Sequence, residues 1–319
     1  MKIQCRALAE LDAAQYDRLV AESFFASRGF LGIWSAMGGS PMVWTAEQDG
    51  RLAAVLPGVE YRLGPIARFI SQPDGCYGGM FLDPAFAHRR DEAAAALLGS
   101  IASHNYTKCV VFDYARAMGE HPEFDSAHCE TRLVRISGED WLPENAKLQS
   151  EIRRAARLGL EVERFDYARH QTGLEDLIQQ TAKRHGVRPR YRMRLFQKLA
   201  AVAATDTRVR WRHCAREGKP VASQIYFVER GALVSWQDYS CRAYSTLKPN
   251  QFIRWELCRQ VASEGIEWLN LGASPLDAEG LDAYKTRWGG TAAYYSSLTR
   301  WSGVGSLLKG RARRGAVPV

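Results

Sequence analysis

A chain of 319 residues is too long for one ordinary hydrophobic core and suits two domains. Its 46% hydrophobic and 24% charged residues are those of a folded globular protein, which excludes a disordered or low-complexity chain. The net charge of +8 suits polyanionic partners (tRNA, phosphates of coenzyme A or a nucleotide sugar, anionic lipid headgroups) and equally suits a merely basic protein, so charge alone does not choose.

The N-terminal run MKIQCRALAELDAAQYDRL has no uninterrupted apolar segment of the signal-peptide kind, and no stretch approaches the apolar length that spans a bilayer. A cytoplasmic protein is expected. Seven cysteines, an odd number without CxxC spacing, argue against a disulfide framework and a structural zinc site. The histidines show no HxxxH or HxxxD pattern, so no metal is expected.

In chain order, Ala13 to Ser27 reads as a short helix. Residues 41–46 form a β-like run, Asp49-Gly50 signals a hairpin turn, and Arg51 to Val59 returns as a second strand. Leu63-Gly64-Pro65 is a turn, and 73–79 is a Gly/Pro-rich loop. Asp91 to Asn105 is an Ala/Leu-rich helix, and Cys109 to Asp113 is a short apolar strand ending on a carboxylate. The polar stretch 136–145 marks a boundary, giving domains 1–145 and 146–305 with a basic tail at 306–319.

The second half opens with a basic helix from Lys147 to Arg157, closed by Gly159. Leu160 to Phe165 alternates as a strand. Helices follow at 174–183 and 194–203. Strands follow at 209–214, 220–229 and 232–239, then a helix from Phe252 to Ser263, and strands at 266–271 and 292–300. The second half thus repeats the plan of the first: helix, antiparallel hairpin, helix, strand. Hairpins mixed with helical crossovers imply an α/β fold of two halves, each a mixed sheet flanked by helices.

Four segments carry a resemblance. They are Pro73 to Gly79, similar to a P-x-x-x-Y-G-G loop; Leu148 to Glu161, similar to a basic helix followed by G-L-x-V; Lys248 to Glu256 running on to Leu269-Asn270-Leu271-Gly272; and Tyr284-Lys285-Thr286-Arg287-Trp288-Gly289-Gly290, similar to F-K-x-x-F/W-G. The ordered set resembles the Fem-like peptidyl transferases and the wider group of double-GNAT N-acyltransferases of envelope polysaccharide and lipid gene clusters. The chain departs from that pattern at Tyr284, where the family has Phe, and at Asn270, where it usually has Asp. It has no coiled-coil arm, which leaves tRNA use open. It also lacks the Gly-rich pyrophosphate loop of ordinary acetyl-CoA enzymes, whose place is taken by residues 244–250.

The resemblance implies two tandem GNAT-like halves and transfer of an acyl group to an amine. No cofactor is implied beyond the donor substrate: an acyl thioester on coenzyme A or on a carrier protein, or an aminoacyl-tRNA. The acceptor is a small or lipid-linked amine in cell-envelope lipid or polysaccharide synthesis, bound between the halves. An inactive GNAT pair serving as an RNA- or membrane-binding module is the alternative of another class. The basic tail suits peripheral contact with an anionic inner-membrane surface, or is a solvated terminus.

Candidate site residues follow from the matched positions. Lys285, read as lying in a loop with Arg287 beside Trp288, would neutralise an oxyanion or hold a donor phosphate; the competing role is a solvated lysine. Asp113 would deprotonate the acceptor amine, or cap a turn. Tyr77 lies in the glycine loop, at a ligand or in a structural turn. Arg153 and Arg154 would bind phosphates, or lie on a solvated helix face. Thr181 and Arg184, with Arg188, Arg190 and Tyr191 following, resemble a stretch that holds acceptor phosphate in the family, or the arginines are simple surface charge. Asp238, Tyr239, Lys248 and Asn250 flank the place where a GNAT sheet splays open, and Tyr239 would donate to the leaving group or pack in the core. Tyr284 completes the substrate-binding set.

Overall fold

The computed structural model describes residues 1–73, 75–274, 279–303 and 305. The tail 306–319 lies outside them. The chain opens with β1 (Lys2–Ala7), α1 (Ala13–Leu19) and α2 (Arg28–Ile33), then β2 (Gly39–Gln48), β3 (Arg51–Leu63), β4 (Ile66–Ile70) and β5 (Phe81–Leu82). Next come α3 (Arg90–Ser103), β6 (Lys108–Asp113) and β7 (Asp125–Arg135). The rest runs α4 (Ala146–Ala155), β8 (Glu161–Arg164), α5 (Tyr167–Arg184), α6 (Met193–Thr205), β9 (Val209–Arg216), β10 (Lys219–Glu229), β11 (Ala232–Ser240), α7 (Pro249–Ser263), β12 (Trp268–Asn270), α8 (Glu279–Arg287) and β13 (Thr291–Trp301).

These elements form two compact units, Met1–Cys129 with the chain from Tyr294 onward, and Glu130–Ala293. The divide falls inside β7 rather than in the polar stretch 136–145, and most of β13 returns to the first unit. In the first unit the sheet order is β1-β2-β3-β4-β6-β13, with β5 on β3. The pair β4 with β6 is parallel and sets Arg68 opposite Lys108. In the second unit the order is β8-β9-β10-β11-β12-β7, and the parallel pair β11 with β12 sets Val234 opposite Asn270. Each unit therefore runs strand, two helices, three antiparallel strands, helix, parallel strand, and the two-half reading of the sequence holds.

The elements follow local chemistry. Asp12, Asn145 and Asp166 cap α1, α4 and α5 by accepting backbone N–H groups of Gln15, Leu148 and Arg169 at 2.8, 3.0 and 3.0 Å. In the first unit α3 buries Ala94, Leu97, Leu98 and Ile101 against Trp44, Phe69 and Tyr106. In the second, α7 lays Leu257, Cys258 and Val261 on Tyr226, Leu233 and Leu269.

The structure corrects several expectations. The helix expected from Ala13 to Ser27 stops at Leu19, because Ser23 turns the chain by accepting from Ala26 N and Ser27 caps α2 through Phe30 N. Strands β1, β4, β5 and β7 are not among those the sequence led us to expect. Lys285 and Arg287 are not in a loop: they lie on α8 with Tyr284, and Trp288 follows in its closing turn. No helix among the described residues is long and apolar enough to cross a membrane.

Candidate active site

Strand β11 continues to Ser240, but its pairing with β12 ends at Val234 and Asn270. The second unit's polar side chains gather where this pairing ends. Asn270 is buried, and its Oδ1 accepts from Thr131 Oγ1 at 2.6 Å and Gly272 N at 2.8 Å. The amide at this position thus shapes the turn that leaves β12.

Lys285 stands at that turn. Its Nζ donates to Gly272 O at 2.8 Å and Ala273 O at 2.7 Å, and the residue is only 3% exposed. A lysine ammonium has three donors, and two of them are used among the described residues. Burial first, then the nearby Arg254 charge, pull its pKa down to about 8.

Arg254 on α7 is the centre of a buried polar network. Its guanidinium donates to Asp238 Oδ2 at 2.6 Å, Tyr226 OH at 3.0 Å, Ser235 Oγ at 3.4 Å and Tyr284 OH. Tyr226 OH in turn donates to Gln224 Oε1 at 2.6 Å, and Gln224 Nε2 holds Asn250 O at 3.2 Å. Burial pushes the Tyr226 hydroxyl up, which keeps it a neutral donor. Two acceptor atoms of this group, Asp238 Oδ1 and Asn250 Oδ1, are buried without a hydrogen-bond partner among the described residues. Such atoms cost free energy unless a ligand or water completes them.

Other expected site residues divide between this network and separate contacts. Asp238 and Tyr239 are neighbours in sequence but face opposite sides of β11, since side chains alternate along a strand. Asp238 meets Arg254 of α7, whereas Tyr239 packs on Phe196 of α6 with ring centroids 6.0 Å apart. Tyr239 is therefore not brought to Asp238 and Lys285. Thr181 and Arg184 fasten α5 to the end of β11: Ser240 N donates to Thr181 Oγ1 at 3.2 Å, and Arg184 donates to Ser240 O at 3.0 Å. Lys248, in a left-handed conformation before α7, pairs with Glu151 at 3.4 Å, and Arg287 pairs with the same carboxylate at 3.0 Å. Arg153 and Arg154 are exposed, and Arg153 reaches Gln149 at 3.3 Å.

Sequence reasoning passed over Arg254, Tyr226 and Glu151. Arg254 left a signal: it shares the stripe of Leu257, Cys258 and Val261, where an arginine breaks the apolar pattern of a buried helix face.

In the first unit, the equivalent parting of β4 and β6 is occupied by the chain's own glycine loop. Gly78 O accepts from Tyr114 N at 3.3 Å, and a Cβ on Gly78 would lie 2.7 Å from Ser71 Oγ and 3.1 Å from Phe112 O. Gly79 adopts φ +133° beside Asp113 Oδ1. The glycines thus serve close packing of the loop on β6. Tyr77 is buried within it, with ring centroids 4.2 Å from Tyr114 and 5.5 Å from Tyr295. Asp113 accepts from Met118 N at 2.8 Å through Oδ2, while Oδ1 is buried without a hydrogen-bond partner among the described residues. Gly79→Ala is expected to destabilise the protein by roughly 1–3 kcal/mol, read as a lowered urea midpoint. A midpoint unchanged from the parent would show that the loop tolerates a side chain there.

Residues 146–286 match the Acetyltransf_6 family, described as an acetyltransferase (GNAT) domain. No curated protein matches the sequence. Among solved structures, FemX aligns over 98% of this chain and 99% of its own, with TM-score 0.71 and 13% identity. The C-terminal domain (DUF2156) of a putative lysylphosphatidylglycerol synthetase from Agrobacterium fabrum aligns over 95% and 97%, with TM-score 0.59 and 13% identity. A tandem GNAT protein from the clavulanic acid biosynthesis pathway aligns over 95% and 99%, with TM-score 0.54 and 12% identity. At such identities the likeness is one of fold. The chain as a whole has the Fem-like double-GNAT fold, and within it residues 146–286 match the model of a GNAT acetyltransferase domain.

Proposed function

We propose that the protein is an N-acyltransferase that uses the opening between β11 and β12 to hold an activated acyl group and pass it to an amine of a cell-envelope lipid or polysaccharide precursor. The observation that carries this reading is the contrast between the two halves. In the first, the parting of the parallel strands is filled by the Gly78-Gly79 loop. In the second, it is lined by Lys285 and by the Arg254–Asp238 pair with an open acceptor on Asp238.

In this scheme a neutral amine attacks the acyl carbonyl carbon, a C–N bond forms, and the thiolate or alkoxide leaves. The remaining Lys285 N–H meets the oxyanion. Asp238 Oδ1 accepts an N–H of the incoming amine and aims its lone pair. A base or a water chain takes the amine's proton, because an ammonium has no lone pair to attack with.

The start of α7 bears on the donor. Pro249, at the first helical position, has no N–H. A pyrophosphate would find fewer backbone donors here than a Gly-rich helix start provides. This favours a carrier-protein thioester over free acyl-CoA. It also supports a second reading, an aminoacyl ester on tRNA.

Native mass spectrometry of the purified protein with acyl-CoAs, acyl carrier proteins and charged tRNAs is the test. Selective binding and amine-dependent consumption of one donor class is expected. If no class of activated acyl donor binds or is consumed, the transferase reading falls and the binding-module alternative takes its place.

A further inference from the structure

Helices α5 and α6 meet at an exposed corner that is strongly basic. Lys183, Arg184, Arg188, Arg190, Arg192 and Arg194 are all exposed, and no Asp or Glu occurs from Leu177 to Thr205. Among the described residues Arg188, Arg192 and Arg194 form no ion pair.

Two features set this corner apart from an ordinary solvated face. The first is helix electrostatics. Cations suit a helix C-terminus, where Lys183 and Arg184 stand, but oppose the positive end of the dipole at an N-terminus. Arg192 nevertheless occupies the N-cap of α6 and Arg194 its first turn; the cap side chain accepts no backbone N–H, and the first turn holds no acid. Folding alone would favour Ser, Thr, Asp or Asn at that cap. Cations kept where they oppose the helix point to a partner outside the fold.

The second feature is apolar. Val187 lies between these cations and is 58% exposed, in a loop turned by Gly186 at φ +66°. Tyr191 anchors the loop by stacking on Trp236 of β11, with ring centroids 5.2 Å apart at 26°. An apolar tip held out among arginines suits a lipid interface, where guanidinium groups reach phosphates and the tip sits at the acyl boundary. RNA fits less well. Single-stranded bases stack on exposed aromatic faces, whereas the loop's tyrosine is buried, and a duplex phosphate backbone offers Val187 no contact.

We propose that the α5–α6 corner docks the protein on an anionic phospholipid surface, with Val187 at the acyl boundary and Arg188, Arg192 and Arg194 on the lipid phosphates.

Co-sedimentation of the full chain with vesicles tests this. Binding is expected to vesicles with about one-third phosphatidylglycerol and not to phosphatidylcholine alone. Arg188→Ser, Arg192→Ser and Arg194→Ser together are expected to cut partitioning by about 100-fold, since each cation near the surface counts for about fivefold. Val187→Asp, with circular dichroism unchanged, is expected to cut it by at least fivefold. The basic tail is present in every variant. Anionic-vesicle binding that survives the triple change would assign it elsewhere on the chain and overturn the proposal. Failure of the parent protein to bind anionic vesicles would overturn it as well, and a duplex RNA probe run alongside would show whether nucleic acid takes the corner instead. Neither arm measures acyl transfer, so failure here leaves the transferase reading untouched.

Discussion

Replacing Lys285 with methionine is expected to lower acyl transfer by about 100- to 1000-fold, and the parent enzyme's rate is expected to fall as pH rises through about 8. The magnitude is that of losing one preorganised donor to a developing oxyanion. Methionine keeps most of the volume but none of the three N–H groups, so the carbonyls of Gly272 and Ala273 also lose their donors. That costs about 1–3 kcal/mol of stability, and thermal midpoints must be read beside the rates.

The pH dependence has a definite sign. Burial lowers the Lys285 pKa from the ordinary lysine range to about 8. At pH 7 the ammonium form outweighs the amine by roughly tenfold, and above pH 8 the charge is lost. An oxyanion partner therefore gives a falling limb there, whereas a general base would give a rising one. Stability moves the other way. Between about 8 and about 10.4 the unfolded chain still holds the proton that the folded chain has released, so unfolding binds a proton and the Lys285 contribution to stability rises with pH. This residue thus strengthens the fold where the rate declines, and unfolding driven by it does not explain the decline. A rate that climbs through pH 8 in the parent enzyme would sink the oxyanion role and recast Lys285 as a base.

The two-half plan was legible because tight turns at Glu217-Gly218 and Arg230-Gly231 separate strands β9, β10 and β11, and because α3, α4 and α7 carry helical apolar spacing. What escaped has physical causes. β7 reads DSAHCETRLVR, too polar to be called a strand from composition, and it is held by β12 through a register that sequence does not record. Helix α8 is polar and short, so Gly289-Gly290 made its end look like a loop. The site was only partly legible. Lys285 stood out as an ionisable group in a matched segment, and Asp238 as one flanking the place where a GNAT sheet splays open. Glu151, which joins Lys248 and Arg287 from a position 97 residues before one and 136 before the other, becomes visible only when tertiary packing brings the three together. Grouping Asp238 with Tyr239 overlooked the two-residue alternation of strands, which the pattern itself could have supplied.

Arg254→Ala is expected to cost on the order of 3–5 kcal/mol, the range for removing one member of a buried ionic network. Arg254 is 2% exposed and carries the donors for Asp238, Tyr226, Tyr284 and Ser235. Its guanidinium also lies 5.4 Å from the ring centroids of Tyr284 and Trp288. The Asp238 side chain is 31% exposed, so water recovers part of its loss, which argues for the lower end of the range. Arg254→Lys should rescue little, because a point ammonium cannot match a planar fork that serves separate acceptors at once. Arg254→Met with Asp238→Asn should cost less than Arg254→Ala, since it removes the charge pair and keeps the volume. Urea unfolding of the three variants measures this order, and a double-mutant cycle gives the Arg254–Asp238 coupling, expected at about 0.5–3 kcal/mol. If Arg254→Ala unfolds within about 1 kcal/mol of the parent protein, the network is not what holds α7 against β11 at the opening, and the geometry assigned to Asp238 loses its support.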